Sequence, residues 1–171
     1  MSSLPRIVLS SRNKKKIGEI AELMTPHRIE LIGVESFPHV PEVEEDGDSF
    51  AANAAKKASE VARQLGEWVI AEDSGLCVDA LGGAPGIHSA RYAGEQGADE
   101  SNNQKLLREL AGIPTEKRTA YYVCHAVLSD PAGQSGDGGE GFVLVEAKIT
   151  EASIVVDRPL LGDVAVATRS W

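Results

Sequence analysis

Cysteine is scarce in this chain: Cys77 and Cys124 are the only two in 171 residues, both in apolar surroundings and without metal-ligand spacing. Neither a disulfide framework nor a cysteine metal cluster underlies the fold, and both thiols are expected to be reduced core groups. Long apolar runs are also missing. No window approaches the roughly 18 consecutive apolar residues of a membrane span, and Met-Ser-Ser-Leu-Pro-Arg at the start lacks the apolar core of a signal peptide, so a cytoplasmic location with no membrane partner is expected. Basic residues are the minority, 17 against 26 acidic ones, for a net charge of −9. That balance excludes nonspecific attraction to a nucleic-acid backbone or an anionic lipid surface. A protein so acidic can handle phosphates only by concentrating its few cations or by using a metal. Aromatic residues make up 5% of the chain. Because Phe50, Trp68, Tyr92, Tyr121 and Tyr122 fall in apolar-periodic segments, they are expected in the core rather than as base-stacking groups. No internal repeat is present.

What remains is an ordinary globular composition, 42% apolar and 25% charged, long enough for a single domain over residues 1–171 with room for two lobes. Arg6 to Ser10 reads as a buried strand, Ser11-Arg12-Asn13 as a turn, and Lys14 to Met24 as a helix with Ile17, Ile20, Ala21, Leu23 and Met24 on one side. Three lysines, Lys14, Lys15 and Lys16, stand at the positive end of that helix dipole, a place where cations are disfavoured unless an anion is near. Lys14 and Lys15 fit a solvated helix start. A second strand is predicted over Glu30 to Val34, followed by an acidic loop over residues 41–48. Ser49 then serves as N-cap of an alanine-rich helix reaching Leu65. On it Asn53 and Lys57 lie four residues apart, so they share a face and can both reach one ligand. Asp99 to Leu110 reads as a third helix with Leu106, Leu107 and Leu110 inward, and Thr119 to Leu128 as the clearest long strand. Strands interleaved with helices define an α/β layer architecture. A glycine-rich tract over residues 133–141 reads as a loop, and strands are expected again over 142–145 and 149–156.

Chemistry concentrates where Trp68-Val69-Ile70-Ala71 runs into Glu72-Asp73-Ser74-Gly75 and then Gly82-Gly83-Ala84-Pro85-Gly86. The expectation is a short buried strand that ends at the two carboxylates. Side by side, two carboxylates repel, so a cation belongs beside them, and a hard divalent ion held by oxygen ligands is the natural one. A plain turn after a strand is the alternative for this segment taken alone. Four segments together answer that alternative: residues 11–16, 44–57, 72–74 and 82–91 each join a turn to groups suited to phosphate or metal. A nucleoside triphosphate brings about four negative charges, which need cationic side chains, a divalent ion and backbone donors. Asn13, Lys16, Lys57 and Arg91 are candidates for the cations and donors; Glu45 and Asp73 are candidates for the metal.

At these residues the chain resembles the inosine triphosphate pyrophosphatase family. The likeness rests on Ser-x-Asn-x-x-Lys at 11–16, Glu-x-Gly-x-Ser-Phe-x-x-Asn-Ala-x-x-Lys-Ala at 45–58, and the run from Asp73 to Gly94. Asn102-x-x-Lys105 and Arg118-x-Ala120-x-Tyr122 continue it over the first three quarters of the chain. The resemblance implies an elongated central mixed sheet flanked by helices, two lobes with a cleft between them, and a homodimer. It also implies magnesium-dependent hydrolysis of ITP, dITP and XTP to monophosphate and pyrophosphate, which removes nonstandard purine nucleotides from the pool. Carried onto this chain, Ser11, Asn13, Lys16, Lys57 and Ser74 contact the substrate. Glu45 and Asp73 hold Mg2+, and Asp73 is the base for the attacking water. Glu72 stands where many relatives have aspartate, and Arg12 where a small glycine is usual.

From Gly133 onward the chain departs from the family pattern: the Gly-Phe-Gly-Tyr-Asp-Pro loop, the later lysine and the Ser-His-Arg segment that read the purine are not found. Residues 133–171 are therefore expected to be an atypical tail, produced by a changed frame or a truncation. Besides the active pyrophosphatase, the residues leave open a nucleotide-binding but catalytically impaired member lacking base recognition, and a noncatalytic interaction domain.

Overall fold

The computed structural model describes residues 6–12, 14–95, 98–134, 144–155 and 165–168. It is an α/β protein in which β1 (Arg6–Leu9), α1 (Lys14–Met24), β2 (Glu30–Gly33), α2 (Phe50–Leu65) and β3 (Val69–Val78) alternate. α3 (Asp99–Glu109), β4 (Thr119–Ser129), β5 (Leu144–Val155) and β6 (Ala165–Thr168) follow. The sheet is mixed, in the order β2-β1-β3-β4-β5-β6. β1 runs parallel to β2, Arg6 opposite Glu30 through Leu9 opposite Gly33, and parallel to β3 at Val8–Val69 and Leu9–Ile70, whereas β5 and β6 are antiparallel.

By contacts the chain divides into two compact units, residues 1–73 with 125–145 and residues 74–124 with 146–171. In the first, the chain steps from β1 to β2 in one direction along the sheet and from β2 past β1 to β3 in the other. Since crossovers between parallel strands are right-handed, α1 and α2 must cover opposite faces. Packing agrees. Val61 and Ala62 of α2 join Val8, Val34, Val40 and Val69 in one core cluster, and Ala54 and Ala58 join Ala71 and Val127 in another. Alanines at 54, 55 and 58 let the helix approach β3 closely. Ser49 caps α2 as expected: its backbone is extended and its Oγ accepts from Ala52 N at 3.2 Å. The second unit is built on Leu76, Val78, Leu106, Leu110 and Ala120. There Gly82, Gly83 and Gly86 adopt φ of 64°, 91° and 57°, the left-handed geometry that explains glycine in that loop.

Three expectations are corrected. β3 does not stop at the carboxylates but continues through Glu72 to Val78. A strand can carry acids when each has a partner, and both of these do. Trp68 and Tyr122 are 38% and 40% exposed rather than core residues. Trp68 precedes the first residue of β3, and Tyr122 sits next to buried Val123, so the pleat turns it to the other face. The two strands expected over 142–156 are one, β5. Val145, Ala147 and Ile149 alternate with Glu146, Lys148 and Thr150, a two-residue period that carries the strand across its charges. β6 had no sequence signal. Neither Cys77 nor Cys124 is in a disulfide; Cys77 is buried and Cys124 partly so. Among the described residues no helix is long and apolar enough to cross a membrane.

Candidate active site

The site lies in the first unit, where the pairing of β1 with β3 ends at Leu9–Ile70 and Ser10 N donates to Ile70 O at 2.8 Å. The loop from Ser11 thus leaves the sheet beside Ala71 to Asp73. Past this point the pleat parts the two acids. Asp73 shares a face with Val69 and Ala71, is 7% exposed, and looks toward α2. Glu72 takes the opposite face, where its Oε1 accepts from Lys16 Nζ of α1. Adjacent carboxylates called for a cation, and for Glu72 it is a lysine. That role of Glu72 escaped the sequence, although the lysine row at a helix start without acidic neighbours was a signal for it.

On the α2 face, three successive residues of the acidic loop are tied to one helix. Glu45 Oε1 accepts from Lys57 Nζ at 2.5 Å, Asp46 Oδ1 from Lys56 Nζ at 2.5 Å, and Gly47 N donates to Asn53 Oδ1 at 2.8 Å. The hydrogen bond from Lys56 holds the Asp46 carboxyl below its ordinary range. Asn53 then turns its other end to β3: its Nδ2 donates to Asp73 Oδ2 at 3.0 Å. This corrects the expectation that Asn53 and Lys57 reach one ligand together. Asn53 has no exposed surface and spends both ends of its amide on the protein, while Lys57 goes to Glu45. Gly47 is required by the approach, since a Cβ there would lie 2.6 Å from Asn53 Oδ1 and 3.0 Å from Ala52 Cβ.

Of the residues singled out by sequence, Lys16, Glu45, Lys57 and Asp73 are thus connected through contacts among 16, 72, 53, 47 and 57, with Ser11 on the adjoining loop. Asn13 lies outside the described residues. Ser74 and Arg91 belong to the second unit and are exposed and partly buried there. Arg12 sends its Nη2 to Val40 O at 2.7 Å, so this departure from the small residue usual in the family braces the start of the acidic loop. Phe50 is partly buried and stacks on His125 of β4, ring centroids 6.5 Å apart. Beyond Gly133, the structure describes Gln134 and the strands β5 and β6. The base-reading segments expected to be missing fall largely outside that description.

Among the described residues, no group of three or more His, Cys, Asp and Glu is placed to hold a metal. Glu45 and Asp73, each bonded to a residue of α2, are hard oxygen donors of the kind that suits a divalent cation whose remaining ligands come from elsewhere. An α/β unit that gathers two acids and two lysines at the end of a parallel strand pair has the composition of a phosphate-handling enzyme site.

Comparison with known proteins narrows this class. The model of the Ham1 family matches residues 7–156, and the chain belongs to that family, the one its motifs pointed to. It is 50% identical over 133 residues to the dITP/XTP pyrophosphatase of Rhodopirellula baltica, covering 78% of this chain and 64% of that one. It is 47% identical over 146 residues to that of Desulforamulus reducens, covering 84% and 73%. A HAM1 protein from Coxiella burnetii superimposes with a TM-score of 0.80 at 32% identity, over 94% of this chain and 78% of that one. The chain spans under two thirds of the Rhodopirellula relative's length.

Proposed function

We propose that this protein is a nucleoside triphosphate pyrophosphatase that cleaves ITP, dITP and XTP between the α- and β-phosphates, leaving monophosphate and pyrophosphate. The observation that carries the proposal is the chain of contacts from Glu45 and Gly47 through α2 to Asp73, with Lys57 paired to Glu45 and Lys16 paired to Glu72, the neighbour of Asp73 on β3. Relatives of about 50% identity bearing the name dITP/XTP pyrophosphatase support it. Glu45 and Asp73 are the groups to hold Mg2+, which when bound would neutralise phosphate charge and polarise the bond to be broken. Ser11, Asn13, Lys16, Lys57 and Ser74 bind the substrate. Glu72 and Glu45 fix where the two ammonium groups of Lys16 and Lys57 stand, and those groups offset the charge that builds on the leaving pyrophosphate. Asp73, held by Asn53, accepts the proton of the attacking water. The protein acts in the cytoplasm as a homodimer.

The test is pyrophosphate release from ITP, dITP, XTP, GTP and ATP, with and without Mg2+, alongside sedimentation analysis for the dimer. Turnover of the first three well above GTP and ATP, abolished by chelator and restored by Mg2+, is expected. Equal turnover of all five, or none, refutes the proposal.

A further inference from the structure

We propose that Asn53 is a positioning residue that sets the spacing between the carboxylates of Glu45 and Asp73, an inference whose kinetic arm rests on the function proposed above. The argument starts from what each neighbour can do. A backbone N–H only donates and an ionised carboxylate only accepts, so a buried group between Gly47 N and Asp73 must accept on one side and donate on the other. A hydroxyl does both from a single atom, whereas the carboxamide accepts and donates from two atoms set apart, as neighbours on opposite sides require. The two partners also decide which way the amide faces, oxygen to Gly47 at 2.8 Å and nitrogen to Asp73 at 3.0 Å. Its place is rigid, for Asn53 has no exposed surface and sits in the first turn of a capped helix between Ala54 and the Ser49 cap. Asn53 N further donates to Ser49 O at 3.0 Å. Glu45 is two residues before Gly47 and is bound by Lys57, one turn along the same helix. The loop acid and the strand acid are therefore both referred to one turn of α2. A carboxylate that must hold an ion and orient water gains from such a supporting partner, and loss of one costs about 10–100-fold in activity or metal affinity.

The test pairs hydrogen exchange at the Gly47 amide with steady-state kinetics, in wild type, Asn53→Leu, Asn53→Asp and Asp73→Ala. In Asn53→Leu the Gly47 amide should exchange at least about tenfold faster while amides of residues 58–62 keep their protection. In Asp73→Ala, which does not touch Gly47, it should also speed up, because Asn53 has lost its second anchor. Asn53→Asp keeps the acceptor, so Gly47 should stay more protected than in Asn53→Leu, yet kcat per folded molecule should fall about 10–100-fold in both, with KM within about threefold of wild type. Unchanged Gly47 exchange in Asn53→Leu and Asp73→Ala overturns the inference. So does a kcat that falls only in step with the folded fraction. If wild type released no pyrophosphate, the functional reading alone would fail, and the exchange data would still decide whether Asn53 ties the loop to Asp73.

Discussion

Gly47→Ala should destabilise the protein by about 1–3 kcal/mol although it adds one methyl group to a partly exposed loop. Its backbone is not left-handed, so the cost is steric alone. The new Cβ would meet Asn53 Oδ1 at 2.6 Å, Ala52 Cβ at 3.0 Å and Asn53 N at 3.1 Å. The last two belong to the first turn of α2 and do not yield, and the Asn53 side chain is pinned between Gly47 and Asp73 in a space without solvent. Something must give, and the weakest link is the Gly47–Asn53 hydrogen bond, whose loss leaves a buried acceptor unsatisfied at about 1–3 kcal/mol. For a chain of this size each kcal/mol lowers Tm by about 2–4 °C, so a fall of roughly 2–12 °C is expected in a thermal melt followed by circular dichroism. Gly18→Ala is the matched control. Gly18 sits inside α1 with nothing within 4 Å of the point where an added methyl would stand, and there alanine should raise stability by about 0.5–1 kcal/mol through helix propensity. Opposite signs are expected from the same chemical change. A Gly47→Ala protein that melts at or above the wild-type temperature would refute the close approach of loop and helix.

Asp73→Asn should reduce pyrophosphate release by about 100-fold or more with an unchanged melt, because the amide oxygen can still accept from Asn53 Nδ2 while basicity is lost; turnover near wild type would remove Asp73 from the mechanism. Lys57→Met should cost about 1–2 kcal/mol, between an exposed and a buried pair, since Lys57 and Glu45 side chains are 14% and 23% exposed; an unchanged urea midpoint would count against that ion pair. Tyr92 titrates at about 12 because burial and its hydrogen bond to Glu109 disfavour the phenolate. Between pH 10 and 12 the unfolded chain loses this proton and the folded one keeps it, so stability present below pH 10 drains away as pH rises, and Tyr92→Phe should flatten that alkaline decline in denaturant midpoints. An equally steep decline in the variant would show that another group drives it.

Much of this arrangement could be read locally. The bounds of α2 follow from a Ser49 cap and an alanine stripe, and the acidic loop from its run of charges. Which residue types suit phosphate and metal was visible because each motif lies within a short segment. Their partners were not visible, because these are set by topology: Lys16 and Glu72 are 56 positions apart, and Asn53 and Asp73 are 20. Reading Glu72-Asp73 as a strand end assumed that buried acids break strands. The fold resolves that conflict by setting helices on both faces of β3, so the pleat delivers one acid to a lysine of α1 and the next to an asparagine of α2. The same alternation sets Tyr122 on the opposite face from buried Val123, although both lie in a mostly apolar run. A polar helix position such as Asn53 gives no local sign of whether it faces a ligand or the protein. Deciding that required knowing that Gly47 and Asp73 stand on either side of it, a long-range fact on which the geometry of the proposed active site depends.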